Sequence, residues 1–328
     1  MTSAIRLKAP GGVEQLERVD WPEAVPGQGE IRIRQSAIGV NFIDIYHRTG
    51  LYTLPPPSIP GVEGAGVVEA IGAGVTGLSI GDRVAYAGEP GGYAATRLLP
   101  AWRTVRLPAS VDAEIVAASL LRGLTVEMLF TRTFPVARGT VVLIQAAAGG
   151  LGAIMTRRAR QIGALVIGTV GSPEKAERAR ASGAEHVIVG RDSDVAAEVM
   201  SLTGGQGADF AIDGIGGTTL LRTLGAMRRF GVVASIGQAA GPIPPLAVSE
   251  IGPMRSLSLA RPSVMAYAAE RDTYPVAAAA VLGMIEAGIA GDIGARYPLA
   301  EAARAQADLE AGRISGSAIL LPCDGEAS

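Results

Sequence analysis

The sequence predicts an α/β chain made of a β-rich part and a doubly wound part on a parallel sheet. Three observations carry this. Residues 1 to about 120 hold short strand-like runs broken by turns such as "PGQG", "PPPSIPG" and "GEPGG". From Thr140 onward, strand-like and helix-like segments alternate at short spacing, which favours parallel strands joined by right-handed crossovers. A glycine-rich turn, "AAAGGLG", joins the first apolar run of that region to a helical pattern.

The elements follow in order. "EIRIRQSAIGV", "GAGVVEAIGAGV" and "GDRVAYA" read as strands punctuated by glycine. A helical pattern begins near residue 112 with "SVDAEIVAASLLRGLTVEMLF", and Ser110 is its expected cap. "TVVLIQ" is a continuous apolar run, as in a strand buried on both faces. A helix over Gly152–Ile162 is expected next, then strand "ALVIGTV", helix "SPEKAERARASG", strand "HVIV" and helix "DVAAEVMSLTG". Strand "ADFAIDGI", helix "TTLLRTLGAMRRFG" and strand "VVASIG" continue the alternation, and "SLSLARPS" is expected to close it. The chain ends in two helical stretches and a last strand, "GSAILLP".

Composition excludes several classes. The 328 residues suffice for two domains, each with its own core. A net charge of −2 and a pI of about 5.9 give no electrostatic case for nucleic-acid or membrane binding. No charge-free apolar run of membrane-spanning length is present, and "MTSAIRLKAP" carries no long apolar leader. The single cysteine, Cys323, suits a reducing cytoplasm and leaves no intramolecular disulfide and no multi-cysteine metal site. Only two lysines occur, Lys8 and Lys175, against many arginines.

The glycine-rich turn carries the first functional signal. Gly149 and Gly152 have the spacing of the dinucleotide fingerprint, with Ala147 at the first glycine's place. A buried strand precedes the turn and a helix follows it, so both context conditions are met. The helix start then offers free N–H groups to a pyrophosphate. The rival reading is a tight turn without a nucleotide; the βα units behind it favour the nucleotide. An NAD site carries Asp or Glu about twenty residues further on. Here "IGTVGSPEKAER" has no acid from Gly168 to Ser172, and Ser172 and Lys175 stand where a 2′-phosphate would lie. NADPH is the expected cofactor, against the reading of Lys175 as part of a solvated helix start.

With these motifs in place, the chain resembles the zinc-free quinone oxidoreductase, zeta-crystallin-like branch of the medium-chain dehydrogenase/reductase superfamily. "AIGVNFIDIYHRTGLY", "IPGVEGAGVVEAIGAGV", "GDRVAY", "LLRGLTVEMLF", "AAAGGLG", "GTVGSPEKA" and "GSAILLP" occur in the family order over nearly the whole chain. The resemblance implies an α/β architecture with a GroES-like β-rich catalytic domain at 1–121 and 262–328. A Rossmann doubly wound cofactor domain is expected at 122–261. It implies a homodimer, for which the apolar strand "SLSLARPS" offers a sheet edge.

The resemblance also assigns residues. Asn41 stands where zinc-dependent relatives place a cysteine, and Val62 where they place a histidine, so no metal is expected. His47 and His186 are expected on a polar helix face and at a strand start. Asn41, Tyr46 and Tyr52 would polarise the acceptor beside the nicotinamide. Thr125 would meet the carboxamide, and Ala147, Gly149, Gly150, Leu151 and Gly152 the pyrophosphate. Ser172 and Lys175 would hold the 2′-phosphate, with Arg191 compensating for a family tyrosine replaced by Gly190. Ile236, Gly237 and Gln238 would cover the nicotinamide end; an aromatic is usual at the first of these. Gly316 and Ser317 would lie near the cofactor, and the basic residue common before the last strand is displaced to Arg313. Arg122 keeps the charge of a common lysine. The implied activity is zinc-independent hydride transfer from NADPH to a quinone. The alternatives are an enone, alkenal or enoyl-thioester reductase and, outside enzymes, an NADPH-sensing binding protein.

Overall fold

The computed structural model describes residues 1–322, and Cys323 lies outside them. The chain forms two compact units, Met1–Leu124 with the segment from Val264 onward, and Thr125–Ser263.

In the first unit β1 (Thr2–Leu7) and β2 (Leu16–Trp21) form an antiparallel pair. The chain continues through β3 (Glu30–Val40), α1 (Phe42–Thr49), β4 (Glu63–Ile71), β5 (Arg83–Ala87), β6 (Thr96–Pro100) and β7 (Val105–Arg106). Helix α2 (Ala113–Ala117) follows, and α3 (Leu120–Met128) begins in this unit and ends in the second. β3 alternates between buried and more accessible residues at its start, then is buried throughout from Ala37 to Val40. That change takes the strand from a half-solvated face into the interior, next to the start of α1.

The second unit is built from β8 (Val141–Ile144), α4 (Gly150–Ile162), β9 (Leu165–Val170), α5 (Pro173–Ser182) and β10 (His186–Val189). It continues with α6 (Val195–Leu202), β11 (Ala208–Asp213), α7 (Thr219–Gly225), β12 (Met227–Ser235) and β13 (Ser258–Ala260). Its sheet is wholly parallel, in the order β10-β9-β8-β11-β12-β13. The order runs outward in both directions from β8, so the chain reverses direction across the sheet between β8 and β11. In such sheets the crevice at the reversal, beyond the strands' carboxyl ends, is where ligands bind. The core under the sheet gathers Leu143, Ile167, Ile188, Val199, Leu220 and Val233.

After Val264 the first unit is completed by α8 (Val264–Ala269), α9 (Thr273–Glu286), β14 (Ile293–Pro298), α10 (Ala302–Glu310) and β15 (Ser317–Leu321). β15 returns to pair antiparallel with β3, opposing Ala318 to Val40, in a sheet ordered β14-β15-β3-β4-β5-β7 with β6 also on β3. Ile38, Val40, Ile45, Tyr93 and Leu320 form the core beneath α1 and α10.

Two expected helices differ from the sequence reading. The pattern from residue 112 divides into α2, α3 and a π-helical turn at Leu129–Thr133. Its cap is Asp112, not Ser110: the Asp112 carboxylate accepts from the N–H groups of Glu114 at 2.7 Å and Ile115 at 3.2 Å. The helix expected over "TTLLRTLGAMRRFG" ends at Gly225, and Met227 begins β12. Parallel pairing of Met227 with Ala208 of β11 overrides the local helical preference there.

Candidate active site

The turn between β8 and α4 explains its own residues. Gly149 caps α4 without a side chain, and its N–H bonds the Ala146 carbonyl at 2.9 Å. The N–H groups of Gly150, Leu151 and Gly152 open the helix and have no intrahelical acceptor. A Cβ on Gly152 would lie 2.3 Å from the Ala146 carbonyl oxygen and 2.8 Å from the Ala147 Cα, so only glycine lets the helix approach so closely. Ala147 fills the first glycine's place because β9 makes room for it: a Cβ on Gly168 would fall 2.6 Å from that of Ala147. Ala146 takes a left-handed backbone, with φ of 55°.

At the carboxyl end of β9, Ser172 caps α5 and Lys175 lies exposed in its first turn. The Arg191 side chain passes over Gly171: a Cβ there would meet Arg191 Nε at 3.6 Å. Arg222 donates to the Arg191 carbonyl at 2.8 Å. Ser172, Lys175 and Arg191 thus share one edge of the sheet, and no acid follows β9 before Glu174. Gly190, where the family tyrosine is missing, has φ of 115° and closes a turn onto the Val170 carbonyl at 2.9 Å.

At the carboxyl end of β12, the Ile236 N–H bonds the Asp213 carbonyl at 2.8 Å. Gly237 is buried, Gln238 is half-buried, and Arg261 reaches the Ser235 hydroxyl at 2.8 Å. The Asp213 carboxylate holds the loop after β11 by accepting from the N–H groups of Ile215 and Gly216. Thr125 is buried at the unit's first position.

The remaining predicted residues lie in the first unit. Asn41 lies between β3 and α1 as the cap of the helix; it is 6% exposed. Tyr46 and Tyr52 stand edge to face with ring centroids 5.3 Å apart, and the Tyr52 N–H bonds the Tyr46 carbonyl at 3.0 Å. Phe42 extends this aromatic patch, its ring 6.4 Å from that of Tyr46. Tyr52 is exposed. Gly316 adopts φ of 111° and Ser317 is fully buried, its hydroxyl donating to the Ala118 carbonyl at 3.0 Å. Arg313 is paired with Asp308. His186 begins β10, but His47 is not on a polar face. It is buried, its Nδ1 has no partner among the described residues, and burial pushes its pKa down. On the same helix, Ile45 packs in a core with Ala305 and Leu309 of α10 and Leu320 of β15.

Sequence reasoning missed a set of buried ionisable groups around Asn41. Its Nδ2 donates to Glu63 Oε1 at 2.6 Å. Glu63 Oε2 accepts from the Leu121 N–H at 2.7 Å. The Arg122 guanidinium lies 3.7 Å from Glu63 and donates to the Val40 and Ala118 carbonyls. Asp44 accepts from the Asn41 N–H at 2.8 Å and from the Tyr93 hydroxyl at 3.0 Å. Burial raises the Glu63 carboxyl above its ordinary range against the opposing pull of Arg122, and raises Asp44 to about 7. An acid inside the apolar strand run "PGVEGAGVV" is the signal that was available.

With this geometry established, known proteins supply the context. The sequence pattern of the alcohol dehydrogenase GroES-like domain matches residues 27–109, and that of the zinc-binding dehydrogenase matches 150–281. A quinone oxidoreductase of Pseudomonas aeruginosa is 41% identical over 98% of this chain and 100% of its own. The chain belongs to the medium-chain dehydrogenase/reductase superfamily, among its quinone oxidoreductases. The structure of Escherichia coli quinone oxidoreductase complexed with NADPH superimposes on this fold with a TM-score of 0.93. It is 36% identical, and the match covers 98% of this chain and 100% of that one. A 2-haloacrylate reductase of a Burkholderia species is 38% identical over 98% of the chain and 99% of its own. Family members thus act on more than one kind of acceptor. Among the described residues, no three His, Cys, Asp or Glu side chains are grouped to hold a metal ion. No described helix is long and apolar enough to cross a membrane.

Proposed function

We propose that this chain is an NADPH-dependent, zinc-independent quinone oxidoreductase acting as a homodimer in the cytoplasm. Similarity over the full length of quinone oxidoreductases carries the reading. The residues fit the cofactor: Gly152 lets the start of α4 close onto the Ala146–Ala147 turn, and that helix start presents N–H groups for a pyrophosphate. Lys175 and Arg191 offer charge to a 2′-phosphate where an NAD site would carry an acid.

When bound, NADPH supplies the hydride from its nicotinamide ring. The chain's own residues bind, orient and donate. Asn41 and Tyr52 are the donors toward the acceptor oxygen, and their hydrogen bonds strengthen as negative charge grows on it. Tyr46 and Phe42 give the acceptor ring an aromatic wall. The reduced oxygens take protons from water or a tyrosine. Asn41 has no thiolate to offer a metal, so donated hydrogen bonds replace a Lewis acid in this reading.

Relatedness to a 2-haloacrylate reductase favours a second reading, in which the acceptor is a conjugated alkene. NADPH consumption on a panel of 1,4-quinones, enones and enoyl thioesters separates the two. Faster turnover of an alkene than of any quinone overturns the first reading. Turnover lost in a strong chelator, with stoichiometric zinc in the protein, overturns zinc independence. The homodimer reading rests on β13, an edge strand whose Leu259 is exposed, with Phe230 and Met254 also exposed in that unit. Light scattering at the mass of one 33.5 kDa chain overturns it.

A further inference from the structure

We propose that Glu63 is a positioning residue that fixes the Asn41 amide with its nitrogen toward the Glu63 carboxylate and so sets which edge of Asn41 is left for the acceptor. This inference rests on the reading of Asn41 as an acceptor-binding donor. An asparagine amide has a donor end and an acceptor end of nearly equal shape, and rotation by half a turn exchanges them. Nothing in the asparagine itself selects one orientation. A carboxylate only accepts, and Glu63 Oε1 lies 2.6 Å from Asn41 Nδ2. Turned over, Asn41 would bring its own oxygen against that carboxylate where both side chains are buried. One N–H therefore stays on Glu63, and the second remains for the acceptor.

The surroundings hold Glu63 in this role. Its side chain is fully buried. The Leu121 N–H fixes Oε2 at 2.7 Å, so the carboxylate does not rotate away from Asn41. Arg122 stands 3.7 Å from Oε1 and also grips the carbonyl of Val40, the residue before Asn41. Gly39 makes space for the carboxylate: a Cβ there would lie 2.3 Å from Glu63 Oε1. A strand residue with no side chain, a backbone N–H and a guanidinium thus converge on one carboxylate whose remaining partner is Asn41. Salt bridging alone would explain the Arg122 contact; it does not explain the shorter bond to an uncharged amide.

The test is a double-mutant cycle on the full-length enzyme with NADPH and a 1,4-quinone. Glu63→Gln keeps the shape but presents one acceptor where two stood. It lowers kcat roughly tenfold, in line with a weakened donor, and leaves the Kd for NADPH unchanged. In an Asn41→Ala background, the same substitution changes kcat less than about twofold, because Glu63 acts only through Asn41. Glu63→Asp, which keeps the charge on a shorter stem, recovers part of the rate. If the Arg122 charge left unpaired by Glu63→Gln prevents folding, Glu63→Gln with Arg122→Met removes both charges and serves in its place. Effects of the two sites that multiply overturn the assignment. So does a full-rate Glu63→Gln enzyme beside a slow Asn41→Ala enzyme, while the reading of Asn41 survives. A full-rate Asn41→Ala enzyme overturns both.

Discussion

Replacing Gly152 with alanine tests whether close approach at the β8–α4 turn is what the cofactor requires. The new Cβ would sit 2.3 Å from the Ala146 carbonyl oxygen and 2.9 Å from the Ala147 carbonyl carbon. Both contacts are with backbone, so no side chain can swing aside. Reaching even 3.0 Å requires the helix start or the turn to move by about 0.7 Å, the gap between those two distances. A hydrogen bond of about 2.9 Å to a phosphate would then stretch beyond 3.5 Å, where it no longer counts as one. Losing one charge-assisted bond of about 1.5–3 kcal/mol raises the Kd for NADPH roughly ten- to a hundredfold. Overpacking adds a stability cost of about 1–3 kcal/mol, or a few degrees in Tm. Calorimetric titration with NADPH and a thermal melt read the two effects separately. Gly283→Ala is the control. Gly283 lies exposed in α9 with nothing within 4 Å of an added Cβ, so alanine there raises stability by up to about 1 kcal/mol and leaves NADPH binding alone. Wild-type affinity and Tm in Gly152→Ala would falsify the close-approach argument.

Lys175→Ala weakens NADPH about tenfold and leaves NADH unaffected, by titration of each; equal losses for both remove Lys175 from the 2′-phosphate. Tyr52→Phe keeps the ring and deletes the hydroxyl, so kcat on quinone falls roughly tenfold to a hundredfold with unchanged NADPH affinity; a wild-type rate makes Tyr52 a wall. Asp44→Asn addresses pH. The Asp44 carboxyl rises from 3.8 to about 7 on folding, so between those values the native state holds a proton that the unfolded chain releases. Wild-type stability attributable to Asp44 is therefore full below pH 4 and falls as pH rises toward 7, by about 4 kcal/mol at most. Asp44→Asn stays neutral, so its Tm relative to wild type climbs across that window in melts at successive pH values; a constant difference shows that Asp44 is not protonated when folded.

The parts of this molecule that were legible in the sequence are those set by neighbours along the chain. "TVVLIQ" followed by "AAAGGLG" announces a buried strand, a tight turn and a helix start, and β8 and α4 follow that order. "EIRIRQSAIGV" and "GSAILLP" contain β3 and β15, although nothing local says that the two strands pair. Asn41 and the tyrosines were singled out through motif likeness, not through periodicity. What was missed depends on residues far apart in sequence. Glu63 and Leu121 are 58 positions apart, and Arg122 reaches Val40 across 82. Val62 drew attention as a place where a metal ligand is missing, while the acid beside it went unread. His47 looked like a surface residue because nothing within the eight residues of α1 shows that the neighbouring Ile45 packs in a core with Leu309 and Leu320 from the end of the chain. Met227 left its helix for a strand because β11 offered a ladder that no helical propensity reports.

The scarcity of lysine has an experimental consequence. Besides the terminal amine, an amine-selective acylating reagent meets two side chains in the whole protein, Lys8 and Lys175. Lys8 stands 4.0 Å from Glu17 on the first unit, and Lys175 lies exposed at the start of α5 in the second. Each unit therefore carries one natural chemical reporter, with no engineering of the surface. Mass spectrometry of the labelled protein reads occupancy at the two sites independently, and Lys8 serves as the internal reference for any ligand that shields Lys175. In a chain whose other positive charges are guanidinium groups, footprinting of a nucleotide edge reduces to the ratio of two peptides.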